Sequence, residues 1–362
     1  MVRDQDLQAL VEFVSDDPLV LSLYLNTDST QRAKEEVRLT LRGLLRQAGD
    51  KAASEDTQAI ERFFDFEYDG SARGVIIFTC QQRGLWKVFQ LAVPVEDRVV
   101  VARRPYVTPL QDVLDEYARY AVVLVDKEGA RLFMFNLGEL QEAEGTLGDE
   151  TKKHRQGGRA AARLQRKANE IALQNLREAA DFTRAFCEQN HCERLIIGGT
   201  DENIALFRGL LPKNLQDKIV GQTPMDMWAG EVEVRDKTLQ IIRAHQHAEE
   251  DALVERMITA AAKGEAGAIG LADTLDALQQ ERVHILLVGE GFEAAGARCT
   301  NCGYLSPDLT TTCRYCHSPM RPNDHIVDAA VRRAIERGVP VRIVVGNAAL
   351  ARAGNIGAIL RY

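Results

Sequence analysis

Runs of six to nine mostly apolar residues recur along the chain, each closed by Gly, Asn, Asp or a charged residue, and between them lie stretches whose apolar positions return every three or four residues. The first kind predicts strands and the second helices. VLSLYL (20–25), GVIIFTC (74–80) and LWKVFQLAV (85–93) are strands, and between the first two runs a helix within 31–53, patterned by Val37, Leu41, Leu44 and Leu45. This βαββ-like grouping predicts a small α+β unit. AVVLVD (121–126), ARLFMFN (130–136) and RLIIGG (194–199) predict a second group, and VHILLVG (283–289) and VRIVVG (341–346), with helices around 270–280 and 326–338, a third of α/β sandwich type. Boundaries fall near Pro105 to Pro109 and around the acidic stretch Glu249, Glu250 and Asp251, which divides the chain into domains 1–115, 116–250 and 251–362.

Residues 159 to 190 contain neither Gly nor Pro and predict one helix of about 48 Å. Arg159, Arg163, Arg166 and Lys167 fall on one side of it, and Leu164, Ala168, Ile171, Ala172, Ala179, Phe182 and Phe186 on the other. The apolar stripe docks and the basic stripe faces outward. Charge sharpens this: residues 152–167 carry seven Lys or Arg and no acid, in a chain of net charge -8. Gly157 and Gly158 sit at the centre, flanked by Lys152, Lys153, Arg155 and Gln156 before them and by the helix cations after. Glycine opens backbone conformations closed to other residues, and N–H groups at a helix start bind phosphate or carbonyl oxygens. A cationic collar around a hinge suits a polyanion such as RNA; the plain alternative is a flexible loop with solvated charges.

Cys299, Cys302, Cys313 and Cys316 form a C-x2-C-x10-C-x2-C array, with Gly303 after the first pair. Two chelating thiolate pairs match tetrahedral Zn2+ and leave no open position, so the site is expected to be structural, a zinc ribbon at about 297–320. Disulfides are the alternative, and nothing else in the chain argues for an oxidising compartment. Cys80 reads as a buried small hydrophobe, and Cys187 and Cys192 show no pairing pattern. His245 and His247 read as a helix surface, Asp126 and Asp201 as turn or cap residues, and Trp228 as an anchor of a loop or strand against the central domain. No Walker A loop or dinucleotide fingerprint occurs. With 45% hydrophobic residues over 362 positions, several cores can form; no apolar run approaches membrane-spanning length, and the interrupted, acidic first segment is unlike a signal peptide, so a cytoplasmic protein with no membrane partner is expected.

KKHRQGGRAAARLQR resembles the loop and following helix of archaeal and eukaryotic class 1 peptide release factors, which carry Gly-Gly-Gln there. The resemblance extends to Pelota, and to YAVVLVDKEGARLFMFNLGEL before the loop, CERLIIGGT after it, SLYLNTDST near the start and GNIGAILRY at the end. It implies a three-domain release-factor-like architecture of α/β and α+β domains, with a ribonuclease-H-like central domain and a zinc ribbon inserted in the third. Here Arg159 stands where the family has its catalytic Gln, and Gln156 precedes the glycines, so a shifted register stays open. Gly157, Gly158 and Arg159 are the candidate catalytic loop, and peptidyl-tRNA hydrolysis is left undecided by the Arg. The amino-terminal region lacks the Asn-Ile-Lys-Ser element that reads stop codons. The resemblance therefore implies a divergent bacterial-type member that binds the ribosomal A site, its rRNA and peptidyl-tRNA, in rescue or hibernation, with a translational GTPase as a further partner. Two alternatives stay open: an active codon-independent peptidyl-tRNA hydrolase, and a binder of structured RNA or of a regulatory partner off the ribosome.

Overall fold

The computed structural model describes residues 4–117, 119–147 and 159–362. They fall into two compact units, residues 1–115 with 247–362 and residues 116–246, and the division lies inside the helix Glu231–Ala262.

The first unit contains three sheets. In one, Val20–Asn26 runs between Gly74–Cys80 and Arg98–Ala102, all antiparallel, and Leu85–Leu91 extends the far side of Gly74–Cys80. Every residue of Gly74–Cys80 is buried, as an uninterrupted apolar run requires. The helix Lys34–Ala48 packs Val37, Leu41 and Leu45 on Leu21, Leu23, Val75 and Ile77, and Leu44 is partly buried at the margin. The strand Arg98–Ala102 is absent from the sequence reading. Its charged start and partly exposed valines mark an edge strand, where burial no longer forces a strong pattern.

A second sheet orders Gly267–Ile269, Ile356–Leu360, Val283–Gly289 and Val341–Val344. The last two run parallel, and the helix Ile326–Glu336 lies between them in sequence. A side chain at Gly357 would force its neighbours to shift: a Cβ would come within 2.3 Å of the Met257 sulfur and 2.7 Å of the Ala268 carbonyl oxygen. Between Val283–Gly289 and that helix the chain makes a small three-stranded sheet, Gly296–Cys299 flanked by Leu305–Ser306 and Met320–Asn323. This places a cysteine-bearing insert inside the α/β layer, where its spacing puts it.

The second unit has a mixed five-stranded sheet. Glu139–Leu147, Gly129–Asn136 and Tyr120–Val125 are antiparallel, and Leu195–Gly199 and Ile219–Pro224 continue in parallel from Tyr120–Val125. Both terminal strands escape the sequence reading, because ELQEAEGTL and IVGQTP lack the apolar runs of the three central strands. Trp228 does not anchor its loop: it is 65% exposed, and the loop is held instead by buried Met225 and Met227 and by Arg131, which donates to the carbonyls of Met227 and Ala229. Among the described residues, no helix is long and apolar enough to cross a membrane.

In the first unit, an ion pair ties early and late segments together. Arg332, only 2% exposed, donates to the carbonyls of Leu10, Val11 and Pro105 and to the carboxylate of Asp328 one turn earlier. The other oxygen of Asp328 accepts from the backbone N–H groups of Val107 and Thr108 and from the Thr108 hydroxyl. Removing one partner strands a desolvated charge, so Arg332→Ala is expected to destabilise this unit by roughly 3–5 kcal/mol. Lys213→Ala, which breaks an exposed pair with Asp217, should change stability by under about 0.5 kcal/mol. Urea unfolding followed through Trp86 in a Trp228→Phe background reads the first effect; a loss under about 1 kcal/mol there would show that the pair is not a structural tie.

Candidate functional site

The four cysteine sulfurs converge. Cys299, Cys302, Cys313 and Cys316 have all their Sγ atoms within 4.8 Å of one another, with Cys299 to Cys316 at 3.4 Å and Cys302 to Cys313 at 3.6 Å. A tetrahedron with bonds of about 2.3 Å to sulfur has edges of about 3.8 Å, so the spacing fits one thiophilic metal ion. The backbone favours thiolates: the N–H groups of Asn301 and Tyr315 each point at the sulfur two residues earlier, at 3.4 Å. Both knuckles turn through left-handed backbone, at Gly303 (φ 71°) and His317 (φ 57°). Hydrogen bonds from Ser318 lower the Cys316 pKa to about 5, whereas burial pushes that of Cys302 up to about 12. His317 stays outside the sulfur cluster, as four thiols make it unnecessary.

The insert is docked as well as folded. Tyr304 packs edge-to-face on Tyr315, its hydroxyl donates to Asp276 on the helix Gly270–Gln279, and Arg314 lies over both rings and pairs with the same carboxylate. Arg333 donates to the carbonyl of Gly303 at 2.7 Å. Among the described residues the group that could hold a metal consists of the four cysteines alone, which fill a tetrahedral ion's positions, so the cluster is suited to holding structure.

The basic segment is described only from Arg159. Lys152, Lys153, Arg155, Gln156, Gly157 and Gly158 lie outside the described residues, as do the side chains of Arg159 and Arg163. The helix Arg159–Gln189 begins directly after the glycine pair and has no acid in its first turn. Arg166 and Lys167 are exposed, and Ala172, Ala179 and Phe186 are buried, with Phe182 partly so, in the core beneath. The buried face also takes Asn175, Leu176, Ala180, Thr183 and Cys187, which the stripe read from sequence omits. Asn175 reaches the Lys127 carbonyl at 2.9 Å, tying the helix to the turn after Tyr120–Val125. Asp126 accepts from the N–H groups of Glu128 and Gly129 in that turn, and Asp201 opens a helix capped by Thr200.

Cys187 and Cys192 prove to be neighbours: the Cys192 N–H donates to the Cys187 carbonyl at 2.9 Å, and the hydrogen bond that the Cys187 thiol donates to Cys192, then burial, raises the Cys187 pKa. The left-handed residue His191 makes this return, a signal that the sequence alone does not carry. Cys80 is fully buried. His245 and His247 are half-buried on the helix Glu231–Ala262, and His247 approaches Glu250 at 3.5 Å.

Residues 105–243 match the profile of Bacterial archaeo-eukaryotic release factor family 10. Among curated proteins, peptide chain release factor subunit 1 of Methanopyrus kandleri is 27% identical over 210 residues, 55% of this chain and 50% of that protein. The Thermococcus sibiricus protein of the same name is 25% identical over 302 residues, 74% of this chain and 72% of the relative. The chain thus spans about half the length of the first relative and nearly three quarters of the second. A solved neighbour, an archaeal Pelota in a model of its ribosome-bound form with ABCE1, is 13% identical with a TM-score of 0.44, covering 99% of this chain and 94% of that one.

The sulfur geometry predicts one tightly held metal ion per chain. Elemental analysis of purified protein should give a stoichiometry near one, and Cys313→Ser, at a fully buried ligand, should abolish it. Chelation should release four titratable thiols from the array; wild-type protein that retains no metal would refute the assignment.

Proposed function

From the likeness of the chain to archaeo-eukaryotic release factors we propose that it is a translation factor that binds the ribosomal A site without reading a stop codon, in ribosome rescue or hibernation. The observation that carries this reading is the start of the helix Arg159–Gln189. It opens with arginine, has no acid in its first turn, follows Gly157-Gly158 directly and lies within the matched segment 105–243. A helix start carries partial positive charge, so cations there are unfavourable alone by about 0.3–1 kcal/mol each and call for an anionic partner. rRNA and the phosphates of peptidyl-tRNA are such partners. In this reading Lys152, Lys153, Arg155, Gln156, Arg163, Arg166 and Lys167 contact RNA.

Arg159 keeps the backbone N–H that follows the glycines but replaces a neutral amide with a long cation, which suits a phosphate better than it suits placing water. The reading is accordingly a factor that binds without cleaving. The absence of an Asn-Ile-Lys-Ser element supports codon independence. The strand order of the second unit, 3-2-1-4-5 when its strands are counted along the chain, supports a ribonuclease-H-like central domain. Zn2+ is the ion that best suits four thiolates in a closed site, as a structural centre.

Ribosomes carrying labelled peptidyl-tRNA and an empty A site test the proposal. The protein should sediment with them, release no peptide, and lose affinity steeply as salt rises from about 50 to 200 mM. Lys152→Ala, Lys153→Ala and Arg155→Ala together should weaken binding by at least about tenfold, as three lost phosphate contacts imply. Peptide release abolished by Gly157→Ala and Gly158→Ala would make it a hydrolase instead, and failure to sediment would place its function off the ribosome.

A further inference from the structure

Two arginines face each other on the cysteine insert. Arg298 and Arg321 are register partners of the antiparallel strands Gly296–Cys299 and Met320–Asn323, so their side chains leave the same face of that small sheet. Like charges directly opposite each other weaken a sheet. Neither arginine forms an ion pair among the described residues, although both are at least partly exposed.

Both line a cleft of about 700 Å3, formed wholly by residues of the first unit. Arg103 and Arg104, which follow the strand Arg98–Ala102, line it too, with Lys51. Two lining acids oppose these cations, and one of them, Asp328, is taken by Val107, Thr108 and Arg332. The other, Asp324, is exposed. Acids beyond the lining hold two of the cations in part: Arg103 pairs with Asp16, and Arg104 lies 3.9 Å from Glu336. Burial, and then the charges of Arg298 and Arg332, still hold the Arg104 pKa below the usual arginine range. The cleft therefore gathers guanidinium groups faster than it supplies carboxylates. His325 and Tyr106, whose rings lie 5.7 Å apart, also line it, and the His325 Nδ1 is buried without a partner.

We propose that this cleft binds the phosphate backbone of a short single-stranded RNA segment, with Arg298 and Arg321 as its principal phosphate contacts. Guanidinium forks match phosphate oxygens bidentately, and a bound phosphate relieves the repulsion between the opposed arginines. The cations come from four separate chain segments, which suits successive phosphates along a strand, and the partly exposed His325 ring offers a surface to a base. An acidic peptide would use the guanidinium groups but not the ring. This site is distinct from the basic segment 152–167 and does not depend on the A-site reading.

The test is fluorescence anisotropy of a labelled single-stranded RNA decamer with the full-length, metal-loaded protein. Arg298→Ala with Arg321→Ala should weaken binding at least tenfold and make the log–log salt slope shallower by about 1.4, as two lost phosphate contacts on a single strand imply. The same loss should appear in a background carrying Lys152→Ala, Lys153→Ala and Arg155→Ala; its disappearance there would assign the RNA to the basic segment and overturn the proposal. Without RNA, Arg321→Ala should leave the Tm unchanged or raise it, since it removes a repulsion, whereas a lowered Tm would make the arginine structural and refute the unpaired-charge argument. Bound RNA should survive millimolar phosphate or ATP. Displacement by micromolar ATP would reassign the cleft to a free nucleotide, and unchanged RNA affinity in the double variant would exclude RNA from it.

Discussion

A guanidinium group removed from water must find hydrogen-bond acceptors for its donors, and the way Arg332 meets that demand organises the first unit. Its acceptors are three backbone carbonyls, two near residue 10 and one at Pro105, together with Asp328 on its own helix. Segments more than two hundred positions apart in sequence are therefore held at hydrogen-bond distance from one helix turn. The next residue, Arg333, reaches the carbonyl of Gly303 in the cysteine insert. Adjacent arginines on Ile326–Glu336 thus connect the same helix to the amino-terminal segments and to the insert. An ion pair of this kind adds little net stability compared with an apolar substitute, but it fixes geometry, because the two terminal nitrogens of Arg332 donate to four acceptors in set directions.

That geometry bears on what sequence could reveal. The central strands were legible because burial on both faces leaves no choice but an apolar run, as in Gly74–Cys80 and Tyr120–Val125. The helix after the glycine pair was legible because residues 159 to 190, without Gly or Pro, keep a continuous apolar face. The cysteine cluster was legible because chelation sets the spacing. Edge strands such as Glu139–Leu147 were not, since an exposed strand needs only alternation and tolerates glutamates. Trp228 misled because size suggests burial, whereas Met225, Met227 and Arg131 do the anchoring. Arg332 and Asp328 were hidden most completely: in IVDAAVRRAIERG they look like the solvated side of an amphipathic helix, and only distant carbonyls make their burial tolerable.

The cysteine cluster and the arginine cleft share Cys299. Cys299 follows Arg298 directly, and Met320–Asn323 both pairs with the Cys299 strand and carries Arg321. A small sheet with so little apolar area cannot hold two opposed arginines on the strength of its own packing; its buried cluster is essentially Ala297, Tyr304, Met320 and the cysteines. A metal ion held by the four sulfurs would supply the rigidity that the core lacks, so that the charge arrangement would persist whether or not an anion is bound.

Electrostatic mismatch is the feature that the two basic regions have in common. The chain carries a net charge of -8, yet it places Arg159 at a helix start with no acid in the first turn, and sets Arg298 against Arg321 across a strand pair. Each arrangement costs free energy in the isolated protein. In an acidic chain, compensating carboxylates would be easy to supply, as Asp328 shows for Arg332. Among the described residues neither Arg298 nor Arg321 forms an ion pair, and in the proposed readings the counter-charge comes from outside, from a polyanion whose phosphates meet preplaced cations while the acidic remainder repels it from other surfaces. Affinity and orientation then arise from the same asymmetry: the surface is attractive only where its own charges are unmatched.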